Sequence, residues 1–363
     1  MDSFKKNSIK SIFIDSNSTN DKAITPKIIW LFSLIILTTF MIGLGAYTRL
    51  SGSGLSMVNW HLITGIIPPL TENQWLESFS AYKEFPEYQL VKKNMTLEQY
   101  RFIYLVEYSH RLLGRLIGLV TIIPFLLLAW TQKLNKKEKF HGISLILLII
   151  FQGLIGWYMV KSGLIDVPYV SHYRLAAHFS LALAFITYCS MLLLSYAGFF
   201  AKSTKNTSSY FLALLIALVS IQTILGTFVA GLDAGFVSKT YPKMFGQWLP
   251  FEQIFPAGEN FWTSLVQNPF TIHFFHRHLG PIISLIIFIY CCKHLLSAQK
   301  KSESITFFII LAISLIQPIL GIFTLLTGVN TSLAILHQLG AVFLFQSIFF
   351  LWLKSMKISL IEN

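Results

Sequence analysis

Eight long apolar runs constrain this sequence more than any other feature. They cover roughly residues 28–47, 102–130, 143–160, 175–200, 210–230, 270–292, 305–329 and 333–353. A helix needs about 20 apolar residues to cross the hydrocarbon of a bilayer, so these runs predict eight transmembrane helices. With 54% hydrophobic and 12% charged residues, the composition excludes an ordinary soluble domain. The predicted fold class is therefore an all-α polytopic membrane protein.

The distribution of basic residues predicts the orientation of these spans. Of the 28 Lys and Arg residues, 16 lie in the two tails and in alternate loops, 9 in the other loops and 3 within spans. Because basic residues favour the cytoplasmic side, we expect both termini, residues 1–27 and 355–363, to be cytoplasmic. The net charge of +12 is then a property of topology, and we expect no nucleic-acid partner but membrane lipid.

The amino-terminal tail indicates the membrane in which the chain resides. Residues 1–27 lack the apolar core of a signal peptide. They also contain Asp2, Asp15 and Asp21, which are atypical of a mitochondrial transit peptide. We therefore predict a bacterial inner membrane. The three cysteines, Cys189, Cys291 and Cys292, lie in or at the ends of spans, so we expect no disulfide in the outer loops.

An internal repeat divides the chain into two halves, residues 28–200 and 201–354. The segment EYSHRLLGRLIG from Glu107 matches HFFHRHLGPIIS from His273, and FQGLIGWYMVKSGL in the third span matches IQPILGIFTLLTGV in the seventh. A histidine in the fourth span, His178, matches His337 in the eighth. The pattern predicts two four-helix bundles in parallel repeat.

Four of the ten histidines lie inside spans at the predicted outer ends: His110, His178, His276 and His337. Ionisable residues in a membrane indicate function, and two neutral imidazoles per half are the axial ligands that a six-coordinate haem requires. Four hydrogen-bonded structural histidines are the alternative. Zinc usually takes three or four ligands and fits two histidines poorly. For His61, His141, His172 and His294, in loops or at helix ends, we expect solvated roles.

Three arginines accompany these histidines. Arg111 and Arg115 share a helix face, and with Arg277 they lie where forked donors would suit haem propionates. The alternative is snorkelling of the side chains to the membrane surface.

Glu107 makes the two halves chemically unequal. It lies on the same helix face as His110, while the matching position in the second half is His273. A carboxylate beside one haem can move protons or stabilise a cation. The alternative is an i,i+4 ion pair with Arg111.

Nearly the whole chain resembles the haem A synthase family. The resemblance is carried in order by TRLSGSGLSMVNW, PEYQL, EYSHRLLGR, QGLIGWYMVKSGL, YRLAAH, VAGLDAG, HR and LHQ, which begin at residues 48, 86, 107, 152, 173, 229, 276 and 336. Without cysteines in its outer loops, the chain is similar to the branch of the family that lacks a loop cysteine pair.

The resemblance implies a reaction and a set of roles. The substrate would be haem O, whose C8 methyl group is oxidised to a formyl group to give haem A for terminal oxidases. Haem b would be the redox cofactor, held by His276 and His337, while His110 and His178 flank the substrate haem and Glu107 is the catalytic carboxylate. A haem O synthase is the implied supplier, and the electron acceptor is unknown. His273 stands where we expect a glutamine, so ligation by His273 in place of His276 stays open.

Two other classes of protein share some of these features. A di-haem b quinol-linked electron-transfer cytochrome also needs paired histidines, but it has no obvious use for a carboxylate on one side only. A transporter explains the repeat, but not histidine pairs at a common depth.

The two longest outer loops, residues 49–101 and 231–269, are rich in aromatic residues. In the first loop, Thr71 with Gln74 and Thr96 with Gln99 form capping-box patterns. We expect two short helices at the membrane surface, covering the site, with an aromatic belt as the alternative.

The charge distribution gives a test of topology. Reporter fusions at Lys137 and Lys202 should report the cytoplasm, and fusions at Glu84 and Lys239 the outer face, because basic loops stay inside. An outer-face signal at Lys202 would contradict the eight-span arrangement.

Overall fold

A computed structural model describes residues 25–58, 64–165, 167–199, 209–297 and 301–356. In these residues, eight helices are long and apolar enough to cross a membrane, which confirms the predicted fold class. The long helices are α1 (Pro26–Leu50), α3 (Leu97–Trp130), α4 (Lys136–Lys161), α5 (His172–Tyr196), α6 (Ser209–Gly231), α9 (Pro269–Ser297), α10 (Lys301–Leu326) and α11 (Thr331–Met356). The short ones are α2 (Glu72–Lys83), α7 (Phe251–Ile254) and α8 (Phe261–Gln267). His61, Lys202 and both predicted tails, apart from residues 25–27, 355 and 356, lie outside the described residues.

Side-chain caps fix the starts of several helices. Thr71 and Gln74 form a complete capping box on α2, and Thr96 and Gln99 form another on α3. Each box satisfies backbone N–H groups that have no partner in the first turn. The first box begins a short helix as predicted. The second begins the second membrane span, so the separate surface helix expected there was wrong.

The long helices form two cores, one in each half of the chain. In the first half, α1, α3, α4 and α5 pack in a ring around a cluster that includes Leu31, Leu145 and Phe185. In the second half, α6, α9, α10 and α11 pack in the same cyclic order around a cluster that includes Leu215 and Ile287. The described cysteines are free: Cys189 belongs to the first core and Cys291 to the second.

Helices α1, α5, α6 and α11 join the two cores. Ile42, Ile186 and Val342 pack together between the halves. Ser190 Oγ on α5 donates a 2.7 Å hydrogen bond to Gln346 Oε1 on α11. Away from this junction the helices present large apolar side chains outward, as expected for surfaces in contact with lipid tails; examples are Phe40, Leu147, Ile289 and Phe308.

The two long loops, residues 51–96 and 232–268, lie at one end of the bundle, which we call the long-loop end. Helix α2 packs on the start of α3 through an aromatic cluster built on Phe79, Tyr82 and Tyr100. Helices α7 and α8 pack on the start of α9. Arg49, at the end of α1, pairs with Asp233 after α6 at 3.1 Å. The loops are therefore structured covers over the helix ends that carry the four histidines.

Close packing between α3 and α4 depends on Gly142, because a Cβ there would overlap the ring of Phe125. We expect Gly142→Leu to destabilise the first half by about 1–3 kcal/mol, the usual cost of overpacking a core. The measurement is the apparent Tm of the purified protein in detergent. Gly153→Leu is the matched control on the same helix, because a Cβ there meets nothing within 4 Å. Equal losses in the two variants would contradict the packing described here.

Candidate functional site

The four histidines of the spans lie towards the long-loop end, on α3, α5, α9 and α11. Each packs against a glycine of a neighbouring span. A Cβ built on the glycine would lie 3.2 Å from His110 Nε2 (Gly45), 2.9 Å from His178 Cε1 (Gly156), 2.8 Å from His276 Cε1 (Gly226) and 3.1 Å from His337 Cε1 (Gly321). The absence of a side chain lets the partner backbone approach each ring.

His276 and His337 face each other across the second half. Their ring centroids are 6.2 Å apart and the rings are inclined at 80°. Two imidazoles bound at roughly 2 Å on opposite sides of one metal, a usual metal–nitrogen length, have centroids roughly 6 Å apart. His273 is buried one turn earlier, and its Nδ1 has no partner among the described residues. The residue that faces His337 is thus His276.

His110 and His178 form the corresponding pair of the first half. They lie close enough to interact electrostatically. Gln152 on α4 reaches the ring of His178, with its Nε2 3.2 Å from Nδ1, and also donates to the carbonyl oxygen of His178 at 3.1 Å. In the second half, Gln222 on α6 does the same for His276, at 3.0 Å from Nδ1 and 2.8 Å from the carbonyl oxygen.

The carboxylate of Glu107 is only 3% exposed and accepts five hydrogen bonds. Oε2 accepts from the backbone N–H of Ser56 at 2.7 Å, from Ser56 Oγ at 2.7 Å and from the N–H of Met57 at 2.9 Å. Oε1 accepts from Arg111 Nε and Nη2 at 3.0 and 2.5 Å. The carboxylate therefore ties the segment after α1 to α3, and the ion pair expected as the alternative role is present.

The arginines differ between the halves. Arg111 Nη2 also donates to the carbonyl oxygen of Met57 at 3.0 Å, and Arg115 lies partly buried beside Arg111 on α3. Arg277 is buried and donates through Nη2 to three carbonyl oxygens of residues 240–243. Its Nε and Nη1 are buried without a partner among the described residues. Two unused donors on a buried guanidinium are suited to an anionic group.

A buried network in the first long loop supports the segment that binds Glu107. Glu87 accepts from Tyr82 Oη at 2.7 Å and pairs with Lys92 Nζ at 3.1 Å, and Lys92 also donates to the carbonyl oxygen of Gly52. Burial raises the pKa of Glu87, although the neighbouring ammonium of Lys92 acts in the opposite direction. Burial, reinforced by Glu87, raises the pKa of Tyr82. Lys92 thus connects this network to the residues just before Ser56.

The remaining described histidines have ordinary structural partners. Those of His141, His172 and His278 are Tyr188 Oη at 2.7 Å, the carbonyl oxygen of Val266 at 2.8 Å and that of Phe274 at 2.8 Å. The ring of His294 stacks on Phe307. Nowhere in the described part of the chain do three or more His, Cys, Asp or Glu side chains form a possible metal-binding group.

Several residues of the site had no separate signal in the sequence reading. Ser56 and Met57 act mainly through backbone N–H groups, which any residue type could supply. Gln222 did have a signal, because QTILG in the fifth span repeats the spacing of QGLIG and QPILG in the third and seventh.

The fold and the site define a multi-pass α-helical membrane protein with two pairs of histidines between its helices. Residues 28–349 match the family described as "Cytochrome oxidase assembly protein". The chain is 38% identical over 344 residues to "Heme A synthase" of Wolbachia pipientis wMel, covering 93% of this chain and 95% of the relative. For the proteins of the same name from Ehrlichia ruminantium (strain Gardel) and Pelagibacter ubique (strain HTCC1062), the identities are 40% and 36%. The alignments cover 92% and 90% of this chain and 95% and 96% of those relatives.

The chain belongs to the haem A synthase family.

Proposed function

We propose that this protein oxidises the C8 methyl group of haem O to a formyl group and so makes haem A, in a bacterial inner membrane. The name of its relatives supports the product. One observation carries the assignment of roles: both halves contain a histidine pair, but only the first half has a carboxylate, Glu107, one turn from its histidine. An enzyme needs such an inequality between a substrate site and a relay, and a simple electron-transfer protein does not.

The second half is the proposed haem b site. His276 and His337 are the ligands, since their rings have the separation expected for one metal between them. The unused Nε and Nη1 of Arg277 fit a propionate, and Nδ1 of His337 is a buried polar atom without a partner in the described chain. Bound there, haem b supplies one-electron redox chemistry.

The first half is the proposed site for haem O. His110 and His178 flank the substrate, and Arg111 and Arg115 lie on the adjacent face of α3. The methyl carbon loses four electrons in two steps of two, first to an alcohol and then to an aldehyde, and gains one oxygen atom. Those electrons leave through the second half to an acceptor outside the protein. The haem O comes from a haem O synthase.

Glu107 acts in this proposal as a fixed negative charge. Both of its oxygens already accept hydrogen bonds from Ser56, Met57 and Arg111. A carboxylate held in this way needs no reorganisation to stabilise a cation that develops beside it. Of the two roles open to a carboxylate here, stabilising a cation therefore fits the contacts better than moving a proton.

Removing either proposed ligand of haem b should remove the resident haem spectrum. We expect His276→Ala and His337→Ala to be inserted in the membrane but to lose the six-coordinate low-spin absorption, because one face of the iron is opened. His273→Ala is the control and should keep that absorption. Loss of the spectrum in His273→Ala together with its retention in His276→Ala would move the ligand by one turn of α9.

Glu107→Gln tests the catalytic proposal. With the negative charge removed, haem b should stay bound while haem A falls at least tenfold and haem O or its alcohol accumulates. The measurement is the haem A to haem O ratio per haem b, from pigments extracted from purified protein and identified by mass. A normal ratio would return Glu107 to a structural role, and haem b as the single pigment of the wild-type protein would favour an electron-transfer cytochrome.

A second variant separates charge from scaffold. The amide nitrogen introduced by Glu107→Gln faces the donors that the carboxylate binds, so the variant also weakens the attachment of the loop. Ser56→Ala removes one of these donors and keeps the carboxylate. It should lower stability slightly and leave most haem A production intact. An equal loss of haem A in both variants would show that the loop, and not the charge, is what the reaction needs.

A further inference from the structure

A short pattern recurs in all four odd-numbered spans. The third, fifth and seventh spans contain glutamine four residues before the glycine that touches a histidine: Gln152 and Gly156, Gln222 and Gly226, Gln317 and Gly321. In the first span the same spacing joins Met41 to Gly45. One of the four histidines, His110, therefore lies beside a span that has a thioether where the others have an amide.

The side chains at this position pack in the same register. Gln222 lies against Gly280 and Met41 against Gly114, where a Cβ would come within 2.9 and 3.2 Å respectively. Gln317 lies even closer to Gly340. Each of these glycines follows the histidine of its own helix by three or four residues. Met41 is thus the structural counterpart of the glutamines.

Two of the glutamines contact the histidine ring itself. The amide nitrogen of Gln222 is held by the carbonyl oxygen of His276 and lies 3.0 Å from Nδ1, and Gln152 is held in the same way at His178. In both side chains Oε1 is buried and has no partner among the described residues. A half turn of the amide exchanges its nitrogen and oxygen, so either a donor or an acceptor can face Nδ1.

The histidine beside methionine presents a different edge to its glycine. His178, His276 and His337 approach Gly156, Gly226 and Gly321 with Cε1, whereas His110 approaches Gly45 with Nε2 as the nearest atom. The nitrogen that haem-binding histidines usually present to iron thus points at the backbone of α1. The ring without an amide neighbour is the ring that is turned.

We propose that Gln152 and Gln222 are positioning residues that orient His178 and His276 for iron, and that Met41 leaves His110 as the ligand that exchanges when substrate enters and product leaves. This inference rests on the proposed function. A histidine that binds metal through Nε2 carries its proton on Nδ1 and donates it to an acceptor, which fixes the ring and makes it a stronger ligand. The unused Oε1 of each glutamine is that acceptor.

The test uses the full-length protein with haem b bound and the variant Gln222→Met, which copies the first span. Loss of a partner of this kind typically weakens metal binding 10–100-fold. We therefore expect haem b to transfer to excess apomyoglobin about tenfold faster or more, and its midpoint potential to rise, because a weaker donor stabilises ferric iron less. Gln222→Glu keeps an oxygen acceptor and should keep the potential at or below that of the wild type.

Gln346→Met is the matched control, because it removes an interhelical glutamine hydrogen bond, to Ser190, between α5 and α11. It should change neither the transfer rate nor the potential. A wild-type protein without haem b would overturn the proposed function itself. Wild-type protein with haem b, and Gln222→Met with an unchanged rate and potential, would overturn the inference alone.

The reciprocal variant tests the first half. Met41→Gln supplies the missing amide beside His110, so haem O or haem A should stay bound to the purified protein in a larger proportion than in the wild type, while haem b is unchanged. An unchanged proportion would overturn the assignment of His110 as the exchanging ligand, even if Gln222→Met failed to fold.

Discussion

A polar group inside a bilayer must find its partners within the protein, since lipid tails offer none. This constraint explains most of the contacts at the long-loop end. Glu107 is surrounded by donors from Arg111, Ser56 and Met57. Arg277, without a carboxylate on its helix, takes backbone carbonyl oxygens from the second long loop. The loops are therefore held to the helices by the same charged residues that define the two sites.

The two halves apply one plan to different tasks. In each half, the arginine that follows the site histidine binds a carbonyl oxygen of the long loop above it, and one imidazole has a glutamine against its ring. The differences are concentrated in two places, Glu107 against His273 and Met41 against the glutamines. Both differences fall around His110, on the side proposed for the substrate. The half with two ordered imidazoles suits a resident cofactor, and the other half suits a molecule that must come and go.

Sequence patterns predicted the number of spans, since a bilayer sets the length of apolar helix that crosses it. They also indicated which histidines share the membrane interior, and the pairing of His276 with His337 followed from the repeat. Contacts made through backbone atoms could not be predicted, because the N–H groups of Ser56 and Met57 carry no trace of their partner in the residue type. The second capping box was misjudged for a similar reason. A cap shows where a helix starts, but the length of the helix from Thr96 depends on packing against α1 and α4.

The ring of contacts in the second half has a consequence for the order of assembly. His276 lies on α9 and its partner His337 lies on α11, the last span of the chain. Gln222, on α6, is in place long before either. During synthesis, the first pair of histidines is complete once α5 has been made, whereas the second pair cannot exist until nearly the whole polypeptide has left the ribosome. A cofactor bound between His276 and His337 is therefore acquired by a finished chain, and it closes the bundle as a late, stabilising step.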